Sequence, residues 1–250
     1  MKTGVQISSL KPLLGIAEGV AATMERLAAM DVDTVQLQWI GPAVSIPQIS
    51  GALRDWGIRS VSVQDFSTAV LQNPDYYLDL NAATGGEWLC LSRIPERDRE
   101  RFAQRLEELR DRAAALGQKL CFHPVAADFA PVGGVCPVEF LMERLKWLDL
   151  CPDLYHVHKA GLDIPAFLRR WRGRVCMVHF KDYRRLPDGS ELLVPAGQGD
   201  IDWTGAVAAC LETEVPYAFV EQETWAADPY ECLGAALDWL RAAPGVSRPL

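Results

Sequence analysis

The sequence predicts an α/β protein, and within that class a single (β/α)8 TIM barrel spanning residues 1–250. Three observations lead there. Short apolar or alternating runs recur along the chain, and a helical pattern follows each of them. There are eight such runs, and strict strand–helix alternation implies a parallel sheet. A length of 250 residues suits one barrel and is awkward for two ordinary domains. The competing architecture, a doubly wound open sheet, finds no GxGxxG to support it.

The expected strands are Gly4–Ser8, Thr34–Gln38, Arg59–Gln64, Trp88–Ser92, Lys119–His123, Leu148–Asp153, Val175–His179 and Tyr217–Glu221. The expected helices are Ile16–Met30, Pro95–Leu116, Pro137–Trp147, Ile164–Trp171, Trp203–Leu211 and Pro229–Arg241. In the first of these, Val20, Met24, Leu27 and Ala28 form one apolar stripe. Gly57 and Gly117 each end a helical run just ahead of a strand, as a glycine closing a helix does. Pro137, Pro165 and Pro229 sit near helix starts, where a missing N–H costs nothing.

Composition narrows the function classes. Hydrophobic residues make up 49% and charged residues 23%, so the chain supports a large core and is not of the disordered kind. A net charge of −8 argues against nucleic acid as a partner. Basic runs at Arg97–Arg105 and Arg169–Arg174 fall in helical patterns and read as solvated faces. Seven cysteines with no CxxC spacing imply free thiols in a reducing compartment, and no signal peptide or membrane span is evident. A cytoplasmic protein with no membrane partner is expected.

In barrels the chemistry sits at the C-terminal strand ends, so polar residues that terminate apolar runs are the candidates. His123 ends the fifth run, Asp153 the sixth, His179 the seventh and Glu221 the eighth. A lone His or carboxylate at such a place is more often structural than functional. Four of them converging on one barrel mouth point to a metal, because buried charge without a partner is expensive and imidazole plus carboxylate suits a divalent ion of intermediate hardness.

From the fifth strand onward the chain resembles the xylose-isomerase-like sugar-phosphate isomerases and epimerases. The segments that carry the resemblance are Asp153-Leu-Tyr-His156 through Ala160-Gly161-Leu-Asp163, Gly173-Arg174 through His179-Phe-Lys181-Asp182, Gly197-Gln-Gly199-Asp-Ile201-Asp202-Trp203, and Phe219-Val-Glu221-Gln222. The N-terminal half matches by architecture alone. The resemblance implies one divalent ion (Mn, Mg, Co or Zn) held by Asp153, His179, Glu221 and a residue of the fifth strand. Related enzymes often place Glu there; here the choice lies between His123 and Asp128. Where relatives have a Glu after strand two and a His after strand three, this chain has Gln36 (or Gln38) and Gln64, which can hydrogen-bond a sugar hydroxyl but cannot act as bases.

The activity so implied is isomerisation or epimerisation of a ketose or related polyol through a metal-stabilised enediolate. Glu221 is the expected base, with His156 or Lys181 as acid. Lys181 stands two residues beyond His179 and so points to the same side of the barrel, as a ligand of a substrate oxygen or as a buried ion pair. Arg93, Gln36, Gln64 and Trp225 are the expected substrate contacts, Trp225 ahead of Trp39, Trp88 and Trp203 for stacking. His158 is expected in a loop with a weak case for function, and Gly133-Gly134 lacks the spacing of a phosphate loop. Loss of the second Glu keeps open a lyase or dehydratase acting on an inosose or 3-keto sugar, and a non-catalytic sugar-binding subunit. Apurinic endonuclease chemistry is disfavoured by four histidines in all and the acidic charge. Barrels of this kind are often dimers or tetramers, so a homo-oligomer is a further expectation by analogy.

Overall fold

A computed structural model describes residues 1–95 and 98–246. The start of the basic run at Arg97 and the last four residues of the expected domain lie outside the described residues. Ten strands run in chain order: β1 (Lys2–Gln6), β2 (Thr34–Leu37), β3 (Arg59–Phe66), β4 (Trp88–Ser92), β5 (Lys119–His123), β6 (Asp149–Leu150), β7 (Met177–Phe180), β8 (Asp182–Arg185), β9 (Glu191–Val194) and β10 (Tyr217–Val220). The helices are α1 (Ala17–Ala28), α2 (Ile46–Asp55), α3 (Ser67–Gln72), α4 (Pro74–Ala83), α5 (Arg99–Ala115), α6 (Pro137–Arg144), α7 (Leu154–Lys159), α8 (Ile164–Arg170), α9 (Thr204–Glu212) and α10 (Pro229–Arg241).

Eight strands pair in parallel in the order β6-β5-β4-β3-β2-β1-β10-β7. The ends of this sheet meet through single bridges, Leu150 to Val175 and Asp153 to His179, so the barrel closes at β6–β7 without a full ladder. Three backbone bonds hold that seam: Leu150 N–H to the Arg174 carbonyl (2.6 Å), Cys176 N–H to Leu150 (2.9 Å) and His179 N–H to Pro152 (3.0 Å).

Alternation along each strand divides the core in two. Val61, Trp88, Cys90, Cys121, Cys151, Cys176, Met177 and Phe219 form one cluster, which fills the barrel. Their neighbours, such as Leu89, Leu91, Phe122 and Val220, belong to the larger cluster shared with the helices. All seven cysteines are free thiols, as the spacing implied. Among the described residues no helix is long and apolar enough to cross a membrane.

Several boundaries differ from the sequence reading. The first strand ends at Gln6 and Ile7–Leu13 forms a 3-10 turn, where the strand was expected to reach Ser8. β6 has only two residues because Pro152 has no N–H and Asp153 caps α7, its side chain accepting from the Tyr155 N–H (2.9 Å). His156 and His158 therefore lie in a helix and not in a loop. The β8–β9 hairpin was not anticipated; it is short and mostly polar, and an apolar-run criterion passes over it. It is fastened beside the mouth, with Glu191 accepting from the Tyr155 hydroxyl (3.0 Å) and pairing with Lys159 (2.5 Å).

Candidate metal centre

His123 ends β5, Asp153 follows β6, His179 lies in β7 and Glu221 follows β10, so four successive barrel strands each deliver one group. One ligand atom from each of the four lies within 4.8 Å of the other three, and all four residues are buried. Nε2 of His123 is 3.2 Å from Nδ1 of His179, and Nδ1 of His179 is 2.9 Å from Oε2 of Glu221. Two imidazole nitrogens facing each other at this distance share one proton or one cation.

The outer partners fix how each ring is turned. Oε1 of Gln36 accepts from Nε2 of His179 (2.5 Å) and also from Nε2 of Gln6 (3.0 Å). An amide oxygen can only accept, so Nε2 of His179 carries a proton and Nδ1 faces the centre, where an ion would displace its second proton. Nδ1 of His123 is 3.2 Å from the Ser92 hydroxyl, which turns its Nε2 inward. The Ser8 hydroxyl donates to Oε1 of Glu221 (2.8 Å) and leaves Oε2 toward the same point. Oε2 of Glu221 and Oδ2 of Asp153 are buried without a hydrogen bond of good geometry, although ion pairs approach both. Two buried carboxylate oxygens beside two inward-facing imidazole nitrogens make up the donor set of a divalent ion, and the residues present fit one.

Charge is balanced around the centre by Lys181. Its ammonium lies 2.8 Å from Oδ2 of Asp153, 2.9 Å from Oε1 of Glu223 and 3.9 Å from Oε2 of Glu221. Burial acts against this charge, but the three carboxylates outweigh it and hold the Lys181 pKa well above its ordinary value. Burial likewise favours a protonated Glu221, and Lys181 with His179 overrides it, holding the carboxyl well below its usual range. Burial and the charge of His179 lower His123 to about 3, a neutral imidazole at any working pH. His179 itself is disfavoured as a cation by burial, yet the Cys151 sulfur and the Glu221 carboxylate carry it well above the ordinary imidazole value. His156 stands 3.8 Å from Oδ2 of Asp153 with its Nδ1 buried and unpartnered.

The structure separates the candidates. His123 is in the ligand group; Asp128 is not, because its two oxygens accept from the backbone N–H groups of Val125 (2.9 Å) and Ile94 (3.1 Å) and brace a loop. Gln36 is wholly buried beneath His179, among Ser62, Cys151 and Met177, where it holds a ring in place. Gln64 is buried beside Gln38 and Cys90. His158 turns to the Tyr183 hydroxyl (3.4 Å). Trp203 is core, its indole N–H donating to Asp182 (2.8 Å), and Trp88 donates to Asp149 at the other end of the barrel (2.8 Å). Trp225 is half-buried in the loop after β10, and Arg93 is exposed at the end of β4. Sequence reasoning passed over Ser8, Ser92 and Glu223; Ser92 ends β4, and Ser8 and Glu223 lie two and three residues beyond the ends of β1 and β10, close to the signal that selected the others.

Fold and site together define a (β/α)8 barrel with a two-histidine, two-carboxylate centre at the C-terminal mouth. A profile of xylose isomerase-like TIM barrels matches residues 17–243, and the chain belongs to that family. Similar solved structures include a sugar phosphate isomerase/epimerase from Parabacteroides distasonis ATCC 8503 (17% identity, TM-score 0.77, 98% of this chain and 97% of that one). Others are the IOLI protein with a bound zinc atom (14%, 0.77, 96% and 97%) and the probable 3-DHS dehydratase AsbF of Bacillus anthracis (11%, 0.74, 96% and 98%). At these identities the likeness is one of fold. No curated protein sequence matches the chain.

Proposed function

We propose that this protein is a divalent-metal-dependent enzyme that moves a proton on a sugar-like carbonyl compound, as an isomerase or epimerase of a ketose or related polyol. The observation that carries the reading is the convergence of His123, Asp153, His179 and Glu221 within 4.8 Å, with ligand atoms turned inward by buried partners. Two imidazoles and two carboxylates suit Mn, Co or Zn ahead of Mg; a zinc atom in a structural relative is consistent with that choice. When bound, such an ion polarises a substrate carbonyl and acidifies the adjacent C–H.

The remaining steps belong to the chain. Glu221 is ionised and fixed by Ser8, and it takes the proton from the carbon beside the carbonyl. Lys181 keeps its positive charge against the developing oxygen anion. His156, with an unpartnered Nδ1, moves the proton to or from the neighbouring oxygen. Arg93, Gln64 and Trp225 line the approach and contact the substrate; Gln36 acts through His179 as a positioning residue. No nucleic acid takes part.

A second reading rests on one specific feature. The candidate ligand from the fifth strand is His123 and not a carboxylate, which leaves Glu221 as the base in this reading. One base with one acid also suits loss of water from a 3-keto sugar or inosose, and a probable dehydratase shares the fold. Solvent deuterium entering recovered substrate marks the isomerase or epimerase; a growing enone absorbance marks the dehydratase. The first test of both is the metal content of the purified protein by elemental mass spectrometry. One ion per chain, lost in Glu221→Ala and in His123→Ala, supports them; no ion taken up by the wild type under any loading condition overturns both.

A further inference from the structure

The four strands that supply the metal ligands make one half of the barrel mouth. The other half, at the ends of β1 to β4, carries a feature of which the mechanism above uses only Arg93, as a substrate contact of unspecified chemistry. Lys11 follows β1, Trp39 follows β2, Phe66 ends β3 and Arg93 follows β4. They form a row: Nζ of Lys11 lies 4.6 Å from the Trp39 ring centre, the Trp39 and Phe66 rings are 5.7 Å apart, and the Arg93 guanidinium carbon lies 4.9 Å from the Phe66 ring centre. Two aromatic rings thus hold a cation at each end.

Two properties of this row are out of keeping with a decorative surface. Both Trp39 and Arg93 sit at positive φ, 55° and 66°, a conformation that bulky residues rarely adopt and that clusters at functional sites. Arg93 is kept there by its neighbours: its N–H donates to the carbonyl of His123 (3.3 Å), and its carbonyl accepts from the Ser67 hydroxyl (2.6 Å). Among the described residues, neither Lys11 nor Arg93 has a carboxylate within ion-pair distance, in a chain of net charge −8. Asp128 is near enough for the charge of Arg93 to act on it, but both its oxygens are occupied by backbone amides. Beside Arg93 lies a cavity of about 280 Å³ lined by Phe66, Ser67, Thr68, Ser92 and Ile94. It adjoins the candidate metal centre, since Ser92, which borders it, also meets Nδ1 of His123 through its hydroxyl.

We infer that this arc is an anion subsite: the substrate carries a carboxylate or phosphate group, recognised by Arg93 beside its cavity, on the part of the molecule remote from the reacting carbon, while Lys11 at the far end of the row adds to the positive field. The inference rests on the proposed reading for where the reacting carbon lies, and on the arc alone for the charge of the group. A guanidinium and an ammonium held by aromatic faces keep their N–H groups free for an oxyanion and lose little freedom on binding it. In an acidic protein, a local pair of unneutralised cations also draws an anionic substrate to the mouth.

The test uses 15N-labelled protein and follows the indole resonance of Trp39, assigned with Trp39→Phe, during titration with inorganic phosphate and separately with acetate. A saturable shift is expected, with affinity weakened roughly tenfold in Arg93→Gln, less in Lys11→Gln, and falling with added salt. A response to phosphate alone identifies a phosphate ester, to acetate alone a carboxylic acid; a response to both supports an anion of either kind. No saturable shift with either probe, or one that Arg93→Gln retains at full affinity, overturns the subsite. Metal content measured on the same samples keeps the two readings apart. A chain that takes up no ion but shows the shift loses the proposed function and keeps the arc; the reverse outcome removes the arc alone.

Discussion

At the scale of single residues, the centre depends on atoms that never touch a metal. Gln36 accepts from Nε2 of His179, and without that bond the ring is free to turn its Nδ1 away. Gln36→Leu is expected to weaken metal affinity about 10- to 100-fold with the fold intact, read by competition with a chromogenic chelator. Asp128→Ala serves as the contrast. It should keep one ion per chain yet unfold more easily, by about 1–3 kcal/mol, because two backbone amides lose their acceptor. The protonation states set a pH dependence. The His179 pKa is raised on folding, so its contribution is fully present below the ordinary imidazole value of 6.5 and is lost as pH rises through the folded value. His123, lowered to about 3, works oppositely below 6.5, where the unfolded imidazole takes a proton the folded one refuses. Glu221, depressed, stabilises above its ordinary value of 4.5 and ceases to as pH falls through its folded value. With a chelator present, the melting temperature should therefore peak near pH 6.5. With the ion bound, the His179 proton is displaced and the decline above 6.5 should disappear. Parallel melting curves in the two conditions would count against metal binding at this site.

At the scale of elements, the segment Gly197-Gln-Gly-Asp-Ile-Asp-Trp203 shows how a motif can be read correctly and its purpose missed. Its glycines give room for a carboxylate inside the protein. Asp182, buried at the start of β8, accepts from the N–H groups of Gly197 (3.1 Å), Gly199 (3.0 Å) and Ile201 (3.3 Å) and from the Trp203 indole (2.8 Å). A Cβ at Gly199 would lie 2.1 Å from Oδ1 of Asp182, so no larger residue fits. Gly199→Ala and Asp182→Ala should each lower the denaturation midpoint, the latter by about 3–5 kcal/mol, since it strands a nest of buried donors. Equal stability of Asp182→Ala and wild type in urea would refute this account. The strands and most helices were legible from period and punctuation; α10 matches its expected bounds, Pro229–Arg241. The β8–β9 hairpin, α3, α4 and α7 were not; the hairpin and α7 are short and take their place from contacts such as Tyr155 to Glu191, which link residues far apart in the chain.

At the scale of the whole molecule, the barrel has one weak seam, where β6 meets β7 through isolated bridges. One of those bridges joins Asp153 to His179, two members of the candidate ligand set. An ion held by both therefore staples the barrel shut. Metal at 100 times its dissociation constant should add about 2.7 kcal/mol of stability. The gain should be local in character: removing the ion should speed hydrogen exchange most at the seam amides of Leu150, Cys176 and His179. Uniform acceleration across all eight strands would show that the ion stabilises the barrel as a whole and not its closure.

The sequence by itself determined the barrel, the order of its strands and which residues end them. Those features follow from local rules: period two along a strand, period 3.6 along a helix, and Gly or Pro where the chain turns. Strand-end position also marked Asp153, His179 and Glu221 as candidates for the mouth and left the fifth-strand group open between His123 and Asp128. Only the tertiary structure decided that His123 rather than Asp128 faces the centre, that Gln36 lies under a ligand, and that Lys181 is enclosed by three carboxylates. The reason is distance along the chain. Ser8 reaches Glu221 across 213 residues and Gln36 reaches His179 across 143, and no local pattern encodes which side chains the closing of a barrel brings together.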